Sequence, residues 1–194
     1  KALAKGKGVM LLFSHFGANQ MIMPAIGYRG YKMCQLSAPA NVWKDVLADR
    51  KLSMMELYAL QVRTQHEESL PVKHINIFRS IKEALRCLQR NEVLADAIDG
   101  GGGKERIPVD FLGKEALISP GPADIARRTG CTVLPTFVLR DRKGRNRVII
   151  EPPLEFNKNG DSQNARHSFT QAFAARLADY VTVHPEYYIG FMAL

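Results

Sequence analysis

The feature that most narrows the possible fold is a repeated switch of hydrophobic period, from short uninterrupted apolar runs to stretches with helical spacing. Val9-Met10-Leu11-Leu12-Phe13 is apolar at every position and follows a Gly6-Lys7-Gly8 turn. A strand apolar on both faces belongs inside a parallel sheet covered on both sides by helices. The run ends at Ser14-His15-Phe16-Gly17, and Asn19 is placed to cap a following helix. Residues 31–36 read as a second strand, residues 41–67 as a long Met- and Leu-rich helix, and residues 74–78 as an alternating strand. Ser80-Ile81-Lys82-Glu83 has the form of a capping box. Ile81, Ala84, Leu85 and Leu88 then share one helix face. Glu92-Val93-Leu94-Ala95 returns to the sheet and ends at Asp96-Ala97-Ile98-Asp99, ahead of the run Gly100 to Gly103.

The second half repeats the pattern. Residues 107–112 suggest a short strand. Pro122 sits at the start of a helix and Gly130 at its end. Residues 131–134, 136–139 and 147–150 are apolar runs, and Asp141-Arg142-Lys143-Gly144 makes the last two a hairpin. Ser168 and Gln171 form a second capping box, predicted to open a helix with Phe169, Phe173, Leu177 and Tyr180 on one side. Loops are expected at the four glycines and at residues 157–164. Strands alternating with helices over residues 1–194 predict one α/β domain, a mainly parallel central sheet flanked by helices. The chain opens almost directly into a core strand, so an element upstream is expected to be missing.

Twenty-seven Lys and Arg against nineteen Asp and Glu give a net charge of +8. That balance favours acidic partners, among them an anionic membrane surface, a phosphorylated substrate or an acidic carrier protein. Nucleic acid is disfavoured, because aromatic and basic residues do not interleave in a recognisable platform. Cys34, Cys87 and Cys131 are odd in number and widely spaced, which predicts free thiols. No apolar run approaches the roughly 20 residues that span a bilayer, and no signal peptide is apparent.

Several motifs fail. Gly100 to Lys104 lacks the first glycine of a Walker loop, since Ile98 occupies its place, and Glu105 follows the lysine where Ser or Thr is required. There is no dinucleotide-binding glycine pattern after a strand, no His pair with metal-ligand spacing, and no Gly-x-Ser-x-Gly elbow. No metal or cofactor is expected.

Chemistry concentrates at the end of the first strand, where open α/β sheets place their sites. His15 there is suited to take a proton from a hydroxyl, given a partner that fixes its tautomer and stabilises the imidazolium. Gln20, five positions on, is one such partner if a helix begins at once. Asp96 and Asp99 are the others. Backbone amides near Gly17 are candidates to stabilise an oxyanion. Met21, Met23, Met54 and Met55 are candidates to line an acyl groove.

His15-Phe16-Gly17-Ala18-Asn19-Gln20 resembles the His-x4-Asp/Glu motif of the bacterial lipid A lauroyl/myristoyl acyltransferase family. Further landmarks are similar and occur in order: the Gly6-Lys7-Gly8 entry, Ala84-Leu85-Arg86-Cys87-Leu88 then Val93-Leu94-Ala95-Asp96, and Val109-Asp110-Phe111-Leu112-Gly113. They continue with Asp124-Ile125-Ala126-Arg127-Arg128-Thr129-Gly130, Leu134-Pro135 with Arg140, and His184-Pro185-Glu186. The resemblance runs from about Lys5 to the C-terminus. It implies a glycerolipid acyltransferase-like fold and transfer of an acyl chain to a lipid or glycolipid hydroxyl. The implied donor is an acyl carrier protein or coenzyme A thioester, with no resident cofactor. The implied place is the cytoplasmic face of the bacterial inner membrane, through an N-terminal anchor absent from this chain. Catalysis would rest on His15 with Gln20, Asp96 or Asp99, and binding on Gly17, Asn19, Arg79, Lys104 and Arg140. The resemblance departs at Gln20, where the family carries a carboxylate. An impaired, lipid-binding relative is therefore a second expectation.

Overall fold

The computed structural model describes residues 1–38, 51–78, 81–100, 105–156 and 162–188. Arg79, Ser80 and Lys104, most of the glycine run and residues 41–50 of the expected helix lie outside them. The strands are β1 (Val9–Phe13), β2 (Met33–Ser37), β3 (Lys73–Asn76), β4 (Val93–Ala97), β5 (Ile107–Phe111), β6 (Lys114–Ile118), β7 (Thr132–Arg140) and β8 (Asn146–Ile150). The helices are α1 (Ile22–Gly27), α2 (Met54–Ser69), α3 (Lys82–Gln89), α4 (Gly121–Thr129) and α5 (Ser162–Val183).

Six strands form one sheet in the order β3-β2-β4-β1-β7-β8, parallel except for β8. β1 is central and buried at all five positions. Alternate side chains leave a strand on opposite faces, and the core divides accordingly. Met10, Leu12 and Leu94 join the buried faces of α3, α4 and α5. Val9, Leu11 and Phe13 pack with Ile22 and Ile26 of α1. The uninterrupted apolarity of β1 is thus the requirement of a strand with a helix layer on each side. The mainly parallel, helix-flanked α/β architecture expected from sequence is the one observed.

The expected strand at residues 107–112 is found as β5, and two other expectations are corrected. Ser168 does not open a helix: α5 begins at Ser162, and Ser168 lies on its exposed side. Gln171 instead uses its amide to bracket β5, accepting from the Asp110 N–H at 2.8 Å and donating to the Asp110 carbonyl at 2.9 Å. The strand at residues 107–112 is half of a hairpin with β6. Its two-residue turn, Leu112-Gly113, has positive φ at both positions, the geometry that matches strand twist. The long Met- and Leu-rich segment yields α2, capped by Ser53 and Glu56 in a capping box. Met54 and Met55 are 83% and 75% exposed and line no groove.

Candidate active site

Register builds the centre of the site. β1 and β4 are parallel neighbours with Phe13 opposite Ala97. The offset of 84 residues persists past both strand ends, where the Ile98 N–H donates to the Phe13 carbonyl. Two residues beyond each strand, His15 and Asp99 therefore stand side by side. Asp99 Oδ1 lies 2.8 Å from His15 Nδ1, and Asp99 Oδ2 accepts the His15 backbone N–H at 2.9 Å. One carboxylate thus fixes the ring and the backbone that carries it. The His15 side chain is 39% exposed while that of Asp99 is 11% exposed, so the ring meets solvent and its partner is shielded.

Gln20 does not take the place expected of it. Gly17 adopts a left-handed conformation, φ +58°, and the chain then makes a short 3-10 turn, Asn19–Met21, before α1 begins. The fifth residue after His15 therefore does not fall on a first α-helical turn facing back. Gln20 is exposed on the cavity wall, and Nδ1 is bonded to Asp99 instead. Asn19 caps no helix; its Nδ2 donates to the Ser14 carbonyl at 3.3 Å and ties the loop to the end of β1.

The C-terminal segment completes the support. The buried Tyr188 hydroxyl donates to Asp99 Oδ2 at 3.2 Å. Burial, with the charge and hydrogen bond of Asp99, holds that phenol above its ordinary range. Phe16 is buried among Phe137, Tyr180, Tyr187 and Tyr188, with ring centroids 5.5–6.5 Å away. Such edge-on and tilted pairs each add about 0.5–1.5 kcal/mol beyond area burial, so residue 16 is a firm anchor for residue 15. Gly17 donates its N–H to the Tyr187 carbonyl at 3.2 Å, and a Cβ there would overlap the Val138 carbonyl oxygen. Gly17 therefore serves loop packing: its own amide is already engaged, and it does not line the cavity.

A cavity of about 1240 Å³ opens over the C-terminal ends of the strands. It is lined by His15, Asn19, Gln20, Asp96 and Asp99, and also by Met21 and Met23. Asp96 does not contact His15. Burial, opposed by a hydrogen bond with the Ala97 backbone and reinforced by the charge of Asp99, pushes its carboxyl up to about 7. Arg140 is exposed at the far end of β7 and lines no part of the cavity. Ser37, His74, Asn76 and Ser119 line it and were not singled out from sequence. His74 shows its strand alternation in the sequence, but nothing there shows what faces it.

The three cysteines are free and buried. Cys34 and Cys87 lie beside Glu92, within 4.8 Å of one another. Glu92 is already held by Arg90 in two hydrogen bonds and Cys87 donates to the Val93 carbonyl, so the cluster is internally satisfied. No helix among the described residues is long and apolar enough to cross a membrane.

The model of one protein family, described as bacterial lipid A biosynthesis acyltransferase, matches residues 1–193. No curated protein matches the chain.

Proposed function

The chain belongs to the bacterial lipid A biosynthesis acyltransferases, and from that premise we propose that His15 and Asp99 together activate the acceptor hydroxyl for acyl transfer. The chain is an acyltransferase for lipid A-like acceptors. The observation that carries the assignment of residues is the 2.8 Å contact between His15 Nδ1 and Asp99 Oδ1.

With Nδ1–H held by Asp99, Nε2 is left as the basic nitrogen. It takes the proton of the acceptor hydroxyl as the oxygen attacks the thioester carbonyl. The carbon–oxygen bond forms and the carbonyl oxygen carries the negative charge. Collapse breaks the carbon–sulfur bond, and the departing thiolate takes the proton from the imidazolium. An ester and a free thiol result, and His15 returns to its starting form. Asp99 stabilises the imidazolium in between, the part a carboxylate plays for any such histidine. Acyl carrier protein or coenzyme A is the donor carrier we assign, and the net charge of +8 suits either, as it suits an anionic membrane at the cytoplasmic face of the inner membrane.

The impaired-relative reading rested on the missing carboxylate at position 20. Asp99 supplies a carboxylate from just beyond the end of β4, and we favour turnover for that reason. The test is consumption of acyl carrier protein and coenzyme A thioesters over a panel of lipid and glycolipid acceptors. Transfer that disappears in His15→Ala supports the mechanism, and transfer unchanged in that variant refutes it.

A further inference from the structure

The end of the sheet opposite the cavity holds a second set of reactive side chains. Cys34 lies on β2, Cys87 on α3, and Glu92 immediately before β4. None of the three lines the cavity. The backbone brings them together. The Glu92 N–H donates to the Cys87 carbonyl at 3.2 Å, across the turn from α3 into β4. The Val93 N–H donates to the Lys32 carbonyl at 2.9 Å, which sets the start of β4 against the start of β2. Cys34 then stands opposite Leu94 and packs with Cys87 in the core on the α3 side of the sheet. Their wide separation in sequence hides this meeting.

Both Sγ atoms and a Glu92 carboxylate oxygen lie within 4.8 Å of one another. Cys34 and Cys87 are buried, and the Glu92 side chain is 13% exposed, so the carboxylate is the side of the cluster toward solvent. Two thiols and a carboxylate are donors that suit a borderline-soft divalent ion such as zinc. Donor atoms on a tetrahedral zinc stand roughly 3.5–3.8 Å apart, so the three need to close by about 1 Å. The partners they give up are weak. The Cys87 thiol donates to the Val93 carbonyl at 3.4 Å, and a thiol is a poor donor. Glu92 pairs with Arg90, whose side chain is 46% exposed, and pairs open to water contribute little.

We propose that Cys34, Cys87 and Glu92 form a binding site for a thiophilic divalent cation, zinc foremost, that clamps β2, α3 and the start of β4 together. Binding releases the two thiol protons to solvent and changes no oxidation state. Three protein donors leave a fourth place for water. The proposal does not rest on the acyl-transfer reading. Tag-free protein stripped with a chelator is titrated with zinc, followed by calorimetry, and with cobalt, followed by absorption. One equivalent of zinc is expected to bind, and cobalt to show thiolate-to-metal charge-transfer absorption. Zinc at about a hundredfold excess over its Kd should raise Tm by several degrees. Cys34→Ala, Cys87→Ala and Glu92→Gln should each weaken zinc at least about tenfold, since even losing a group that supports a ligand costs about 10–100-fold. Cys131→Ala, a buried cysteine outside the cluster, should bind zinc as the parent does. Circular dichroism establishes that each variant is folded, and Glu92→Gln, nearest the surface, decides if the cysteine variants are not. Absence of stoichiometric binding, cobalt binding without the charge-transfer band, or equal binding by the folded variants overturns the proposal.

Discussion

Asp99 stands beside His15 because the pairing of β1 with β4 continues in register past both strand ends, two residues beyond Phe13 and Ala97. The relationship is tertiary. Residues 84 positions apart meet at 2.8 Å, while Gln20, five positions away, is exposed on the cavity wall.

Gln20 is expected to be dispensable. It is exposed, and His15 Nδ1 is bonded to Asp99 instead. Substitutions of such side chains shift stability by about 0.5 kcal/mol or less. Gln20→Ala should keep kcat within about threefold of the parent, a factor of similar energetic size. Steady-state kinetics of thioester consumption measures this. A loss of a hundredfold would return position 20 to the centre of the mechanism.

Tyr188 is expected to act through Asp99. Its hydroxyl shares Asp99 Oδ2 with the His15 backbone N–H. Tyr188→Phe keeps the ring against Phe16 and Phe111 and removes only the donor. A hydrogen bond to a charged group contributes about 1.5–3 kcal/mol, so kcat should fall about tenfold or more with a smaller change in KM. The pH profile of kcat should move as well, because a carboxylate with one donor fewer holds the imidazolium differently. An unchanged profile would mean that Tyr188 serves packing alone.

Gly17→Ala should destabilise the fold. The position has φ +58°, and the added methyl meets the Val138 carbonyl. The backbone strain costs about 1–3 kcal/mol before the displacement of β7 is counted. For a chain of this size each kcal/mol lowers Tm by about 2–4 °C. Differential scanning calorimetry should show a drop of several degrees, and the His15–Asp99 pair should lose activity with it.

Asp96 should make stability fall toward alkaline pH. Its carboxyl is pushed from an ordinary 3.8 up to about 7, chiefly by burial. Between those values the folded chain holds a proton that the unfolded chain has released, so stability decreases as pH rises through that window. Asp96→Asn removes this dependence. Urea unfolding at pH 4 and pH 8 should show the variant gaining on the parent at the higher pH, by at most about 4 kcal/mol. A constant difference would contradict the burial of a charged group there.

Much of the frame was legible in the order of residues. The continuous apolarity of Val9 to Phe13 announced a covered parallel strand, Pro122 and Gly130 bracketed α4, and Asp141 to Gly144 joined β7 to β8. His15 could be read at a strand end. Its partner could not be singled out, because only the register between β1 and β4 sets Asp99, rather than Asp96 or Gln20, against the ring. The β5–β6 hairpin was missed because Lys114 and Glu115 interrupt the apolar pattern of an exposed strand. The start of α5 was misplaced because a capping-box pattern occurs inside it, with Gln171 serving β5 instead. Ser37 and His74 show only strand alternation, and their meeting depends on how β2 pairs with β3.

His15 and Asp99 act as one unit, and a double-mutant cycle on thioester consumption measures their coupling. The parent, His15→Ala, Asp99→Asn and the double variant are compared by kcat with one donor and one acceptor. Groups that work as a unit are strongly non-additive. Asp99→Asn alone is expected to lose about 10²–10⁴ in kcat, and adding it to His15→Ala to lose little more. Independent, additive losses, or full activity in Asp99→Asn, would contradict it.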